Sequence, residues 1–468
     1  MPNTFAYLML LIWPVVAVGL FRLMPIERAL IWTLLGGYLI LPQATEFNLP
    51  MIPALNKATI PNLSAFVICL FMFGTRVLRM PSSLFIKVLI FILLVSPIAT
   101  ALTNREPILF ENGGGIPSLT IYNAISDIAN QIFSILPLFL ARHFLVTEAA
   151  QREVLLALVI GGVFYSFPII IELRLSPQIH NWIYGFMQHD FIQTVRSSGY
   201  RPMVFLYHGL LVAFFIMTAC IAAVVLWRAG RSDRRTPYLL AAGYLGLMLA
   251  LCKTLSATLY GLFLLPLVLF TSRRLQIGVA AALAVFALSY PVLRGAGYIP
   301  VDAMLEQAAW VEEDRARSLK VRFDNEADLL AHAQEKILFG WGGWRRNVIY
   351  DANGKSDSIT DGRWIIVIGV FGWCGYLVEF GLLTLPLLFL AGRAYRLPSS
   401  DLTPYVGALA LLHGVNLIDL LPNSSLTPFT WLMTGALLGY VEVLQGGRIP
   451  AMPAPGITGL QKAPRTIL

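Results

Sequence analysis

Residues 204–227 read VFLYHGLLVAFFIMTACIAAVVLW, with Arg201 just ahead of the run and Arg228 directly after it. The run holds no Asp, Glu, Lys or Arg. As an α-helix it would rise about 36 Å, more than the roughly 30 Å hydrocarbon core of a bilayer. Hydrocarbon offers no partner to free backbone amides, so an apolar run of this length in lipid must be helical.

The pattern recurs along the whole chain. Apolar runs fall at about 5–22, 28–42, 61–76, 84–102, 122–144, 153–173, 204–227, 236–252, 254–272, 275–293, 363–392, 403–421 and 427–445. Of the 468 residues, 57% are hydrophobic and 13% charged, about half the charge of a soluble domain. Mean hydropathy is +0.71. The fold class expected is an all-α polytopic membrane protein with 12–13 transmembrane helices. Cys69, Cys220, Cys252 and Cys374 lie in or beside apolar runs without a C-x-x-C pair, and read as small apolar core residues. Met1–Phe5 carries no basic segment and no small-x-small cleavage site follows, so the first run reads as a retained span.

The net charge of +8 points to membrane topology, not nucleic acid. Arg22 and Arg28, Arg76 and Arg79, Arg142 and Arg152, Arg228 to Arg235, Arg273 and Arg274, Arg393 and Arg396, and the Arg448/Lys462/Arg465 tail each follow an odd-numbered run. Short-loop basic residues mark the cytoplasmic side. The opposite side then carries the longer loops 43–60, 103–121, 174–203 and 294–362. Five regions follow: N-terminal membrane helices 1–120, central membrane helices 121–293, an extracytoplasmic loop 294–362, C-terminal membrane helices 363–445, and a Pro/Gly-rich cytoplasmic tail 446–468 expected to be disordered. Within the large loop, 302–319 and 321–337 read as two surface helices capping a cavity.

Three polar clusters sit on the extracytoplasmic side. Arg196-Ser197-Ser198-Gly199-Tyr200-Arg201 precedes Tyr207-His208-Gly209, where the next run begins. Arginine suits a phosphate, because its planar fork donates two parallel hydrogen bonds and stays charged. The bland alternative is positive charge at a headgroup boundary, with His208 a satisfied core residue. In the large loop, Lys320 and Arg322 precede Asp324, Glu326, Asp328 and His332; then comes Gly340-Trp341-Gly342-Gly343-Trp344-Arg345-Arg346. A Gly-rich, Trp-bearing turn beside basic residues suits a glycan next to a phosphate; an interfacial aromatic belt is the alternative. In Thr360-Asp361-Gly362-Arg363, Asp361 suits a general base for a hydroxyl, or a helix N-cap. Inside the runs, Asp127, Asn130, Glu172, Glu379, His413, Asn416 and Asp419 need partners, since an ionised group at the bilayer centre costs roughly 2.5–3.5 kcal/mol. His413, Asn416 and Asp419 share one helix face and read as bonded to neighbouring helices, with a proton path as the alternative.

These clusters, in this order, resemble the O-antigen ligase/O-antigen polymerase superfamily over roughly residues 120–390. The R-x-x-G element matches Arg196–Gly199, the outer Lys/Thr/Ser turn matches Lys253-Thr254-Leu255-Ser256, the second arginine matches Arg322, and the G-W-G turn matches 340–343. The resemblance implies a GT-C-like plan and an undecaprenyl-diphosphate-linked glycan as donor. It implies inverting glycosyl transfer at the periplasmic face of a bacterial inner membrane, with no metal. On that reading Asp361, Arg196 and Arg322 are catalytic, while Arg201, His208, Lys253, Lys320, Trp341, Arg345 and His332 bind substrate. The acidic run Glu312-Glu313-Asp314 keeps a divalent cation open. A chain-length regulator and export proteins are the expected partners besides membrane lipid. Ligases of the family carry a histidine where this chain has Asp361, which favours polymerisation of O-antigen or exopolysaccharide repeat units over ligation. A transporter should show paired broken helices in two related halves, and the sequence shows no repeat. In a scaffold protein, Arg196, Arg322 and Asp361 need not converge.

Overall fold

The computed structural model describes residues 1–49, 52–196, 199–230, 235–311 and 313–446. Ser197, Ser198, Arg231, Arg234, Glu312 and the tail beyond Gly446, with Arg448, Lys462 and Arg465, lie outside the described residues. The protein is an all-α polytopic membrane protein. Its helices are α1 (Thr4–Leu23), α2 (Ile26–Ile40), α3 (Thr59–Phe73), α4 (Leu84–Leu102), α5 (Ile121–Phe144), α6 (Glu148–Leu175), the short α7 (Ile179–Tyr184), α8 (Gly209–Ala229), α9 (Thr236–Leu251), α10 (Leu255–Phe270), α11 (Arg273–Gly295), α12 (Val301–Val311), α13 (Glu313–Gln334), α14 (Arg363–Ala394), α15 (Val406–Asp419) and α16 (Pro428–Leu444).

A helix underlies each of the thirteen apolar runs. Among the described residues, eight helices are long and apolar enough to cross a membrane: α1, α3 with its 3₁₀ extension to Leu78, α4, α5, α6, α8, α11 and α14. Helices α9, α10, α15 and α16 are apolar but shorter, at 14–17 residues. The core forms where α5 packs along α16, α11 along α15 and α14, and α8 against α6, α9 and α10. Helix α8 is the hub, and most of its side chains are buried. The three two-stranded ribbons are confined to loops, among them β5 (Val195–Arg196) paired with β6 (Gly199–Tyr200).

Two expectations need correcting. The large-loop helices run Val301–Val311 and Glu313–Gln334 instead of 302–319 and 321–337, and no Gly or Pro interrupts the second across position 320. Arg322 therefore lies mid-helix, beside a buried face of Phe323, Glu326, Leu329, Leu330 and Ala333 at helical spacing. The expected single span 363–392 is also not one straight helix. Gly372 has φ +65° inside α14. Arg363 nevertheless pairs with Glu379 through two contacts of 2.7 and 2.5 Å. Sixteen residues of straight helix would part them by about 24 Å along the axis. The first segment, 363–371, must therefore fold back along the second. Both segments meet α11 within a few residues: Trp364 packs edge-on against Tyr290, and the Tyr376 hydroxyl donates to the Ala287 carbonyl.

The glycine-rich turn fills this corner. Trp341 and Gly342 N–H groups donate to the Gly369 and Val370 carbonyls, and Trp373 and Cys374 N–H groups donate to the Ile337 and Leu338 carbonyls. These are backbone groups that a broken helix would otherwise leave unpaired. A Cβ on Gly340 would stand 2.6 Å from Gly372 N, and one on Gly372 would stand 2.4 Å from Leu338 C and O. Thr100 of α4 donates to Phe339 O, and Asn104, just past the end of α4, donates to Gly340 O.

Candidate functional site

The loop after α6 is fixed from below by one carboxylate. Glu172, 1% exposed, accepts from the backbone N–H groups of Ile179 at 3.2 Å and of Met203 and Val204 at 2.8 Å each. Lys57 donates to Phe205 O at 2.6 Å, Gln188 donates to Val204 O and Leu206 O, and the Tyr165 hydroxyl accepts from Phe205 N–H. Residues 203–206 are thereby held, with Arg201 on one side and His208 on the other.

On either side of Ser197 and Ser198 the arginine motif forms an antiparallel ribbon in which Arg196 pairs with Gly199 and Val195 with Tyr200. Gly199 has φ +121°, and a Cβ there would stand 3.0 Å from Lys253 Nζ. Lys253, itself at φ +51°, reaches the hairpin from the turn between α9 and α10. The Arg201 side chain lies against Gly209, where a Cβ would come within 2.3 Å of its Cγ.

His208 is the N-cap of α8. Its Nδ1 accepts from Leu210 N–H at 3.0 Å. Burial, followed by Arg201, His189, Arg322 and Arg196, pushes its pKa down to about 3. The ring is therefore neutral at physiological pH, with its proton on Nε2. It serves as a hydrogen-bond donor among cations and adds no charge of its own.

Arg322 Nε approaches Asp361 Oδ2 at 3.4 Å, both side chains being about one third exposed. Arg322 Nη1 also reaches Pro422 O at 3.4 Å. Neither Thr360 nor Asp361 caps α14; the N-cap is Gly362, where a Cβ would meet Leu421 O at 2.1 Å. The backbone here is instead locked by Arg363 N–H, which donates to Leu420 O and Asn423 O. The Asp361 carboxylate stays at the mouth. A guanidinium has five donors, so Arg322 can hold Asp361 and still grip an anion.

Glu326 reads in the sequence only as one acid of the large-loop cluster, with no role of its own. It follows Arg322 by one turn and is 7% exposed. Its Oε2 lies 3.5 Å from the Tyr290 hydroxyl and 3.8 Å from Arg294 Nε. Burial pushes its pKa up to about 7, with Arg294 acting in the opposite direction. Arg294 also donates to Phe323 O and lies over the Phe323 ring. This clamp seats α13 on the end of α11. The available signal was the i, i+4 spacing from Arg322 on an otherwise apolar helix face.

Other expected site residues lie elsewhere. His332 is ten residues beyond Arg322 on α13, about 15 Å along the axis. Its ring stacks on Trp341 at 4.5 Å, Trp341 Nε1 donates to His332 O, and Lys336 lies over the same indole. Trp341 is thus engaged within the protein, and its turn packs into the α14 corner. Lys320 is exposed on α13, and positions two apart on a helix point away from each other. Arg345 is exposed, at φ +64°. Its neighbour Arg346 is buried and donates to the carbonyls of Trp341, Pro117 and Glu106.

Of the polar residues within the helices, Glu172 and Glu379 take the partners given above, and two on α15 are bonded close by, His413 to α14 and Asp419 within the turn that follows its own helix. His413 Nε2 pairs with Leu383 O at 2.9 Å, and Asp419 accepts from Asn423 and Ser425. No family model matches this sequence, and no curated protein matches it.

Proposed function

We propose that this protein is a membrane glycosyltransferase that polymerises undecaprenyl-diphosphate-linked oligosaccharide repeat units. The observation that carries the reading is the meeting of Arg196, Arg201, neutral His208 and the Arg322–Asp361 pair at one end of the bundle. Cations with fixed donors suit a diphosphate, whose charge grows as it leaves. Asp361 would take the proton of the acceptor hydroxyl. The acceptor oxygen would form its bond to the anomeric carbon as the carbon–oxygen bond to the diphosphate breaks, inverting that centre. Arg196 and Arg322 would hold the departing diphosphate, assisted by Arg201 and the His208 Nε2–H.

The short-loop arginines support a periplasmic site in a bacterial inner membrane, since they mark the other end of the bundle. O-antigen or exopolysaccharide is the product class, with a chain-length regulator and export proteins as partners.

The corner in α14 favours one other reading, a transporter, because discontinuous helices form many transport sites. However, residues 337–342 occupy that corner and bond its backbone groups, so it offers no bed for a substrate. The test is purified protein with an undecaprenyl-diphosphate oligosaccharide, followed by gel analysis. A ladder of longer lipid-linked glycans supports the polymerase. Donor binding without extension points to a ligase lacking its acceptor, or to a transporter.

A further inference from the structure

Helix α8 joins the arginine-lined mouth to a second cationic place. From His208 at its N-cap to Arg228 near its far end, the axis rises about 30 Å. At that far end an open cleft lies between the ends of α8, α10, α11 and α15. Its polar lining includes Arg228, Thr271, Ser272, Arg273, Gln276 and Ser399, and its apolar wall includes Val225 and Val268.

Both arginines are held by carbonyls and not by acids. Arg228 Nη1 and Nη2 donate to Thr271 O at 3.1 and 3.2 Å, and Nη1 also bonds Val268 O. Arg273 Nη1 donates to Ser399 O at 3.0 Å and Leu402 O at 2.8 Å. These bonds order the guanidinium groups without neutralising them. Among the described residues, neither arginine forms an ion pair, although four other arginines pair with Glu153, Glu442, Glu326 and Glu379. Ser272 caps α11 at the same place by accepting from Leu275 N–H, so the positive end of that helix adds to the field. Gln276, 4% exposed, ties the floor to Leu267 O.

We infer that this cleft binds the phosphodiester headgroup of an anionic phospholipid, with the glycerol and upper acyl segments against the apolar wall. A phosphate is the natural counter-ion for two ordered guanidinium groups that form no ion pair among the described residues. Basic pockets between membrane helices take such headgroups, with surface arginines each strengthening the attraction. A soluble phosphate shares the chemistry but has no use for the apolar wall.

The test uses full-length protein in zwitterionic detergent, with phosphatidylglycerol or phosphatidylcholine added and retention read by native mass spectrometry. Wild type should prefer phosphatidylglycerol by on the order of tenfold or more. Arg228→Gln/Arg273→Gln should lose that preference. Because Arg228 also ties α8 to α10, a second variant guards against misfolding. Ser272→Asp keeps a good N-cap while placing an acid in the cleft, and should abolish the preference with the protein still folded. Equal retention of both lipids by wild type, or an undiminished preference in folded Ser272→Asp, overturns the proposal. Displacement of the lipid by millimolar inorganic phosphate would reassign the cleft to a soluble anion and overturn the lipid assignment.

Discussion

Arg322 Nε and Asp361 Oδ2 stand 3.4 Å apart, joining the middle of α13 to the residue two before α14 begins. The two side chains are exposed enough that their attraction contributes at most about 1 kcal/mol to stability. Their value lies in orientation: Arg322 aims the carboxylate, and Asp361 fixes the guanidinium before a ligand arrives.

Asp361→Asn keeps the shape and removes the proton acceptor. Glycan extension should fall by roughly 10²- to 10⁴-fold, the usual contribution of a general base. The thermal melting midpoint should move little. Normal extension by Asp361→Asn would remove the base role from this residue.

Arg196→Lys keeps the charge but loses the forked donor. Extension from a lipid-diphosphate donor should drop about tenfold or more, through weaker leaving-group stabilisation. Unchanged turnover would mean that Arg196 does not grip the diphosphate.

Glu326 links stability to pH. Burial raises its folded pKa from 4.5 to about 7, so between those values the folded state holds the proton that the unfolded chain has lost. Stability should therefore fall as pH rises from about 4.5 to 7 and then level off. Glu326→Gln imitates the protonated form and should flatten that slope, giving a higher melting midpoint than wild type at pH 8. Parallel pH profiles for the two proteins would count against the buried carboxyl.

Gly372→Ala places a methyl 2.4 Å from Leu338 C and O at a residue with φ +65°. The backbone conformation alone costs about 1–3 kcal/mol, and the clash adds to it. A lower melting midpoint is expected. Gly343→Ala, with open space around its Cβ, is the matched control and should melt like wild type. Equal melting of the two variants would contradict the close approach.

The thirteen apolar helices were legible because each depends on local composition: hydrocarbon demands a helix wherever side chains are apolar for long enough. Arg196, Arg201, His208 and Asp361 stood out because each lies at a run's edge on one side, and Arg322 because it lies in the large loop on that same side. The corner at Gly372 was not. A glycine among apolar residues usually continues a helix, and only the remote pairs Arg363–Glu379 and Gly340–Gly372 reveal the turn. For the same reason the Gly-Trp-Gly turn read as a binding element. The close approach that Gly340 permits in the structure is to the backbone of α14. Glu326 stood in the sequence as one acid beside Asp324 and Asp328; its spacing from Arg322 marked a shared helix face, but its burial against α11 is a long-range contact that spacing alone does not supply.

The corner in α14 has a consequence for how the chain is made. Its exposed amides and carbonyls are met by residues 337–342, which leave the ribosome before α14 does. The plug is thus synthesised ahead of its socket. When the broken helix emerges, the strand that completes it is already on hand. Deleting or reordering that turn would leave a newly made helix with nothing to close it, and quality-control proteolysis would report the defect before any loss of catalysis could.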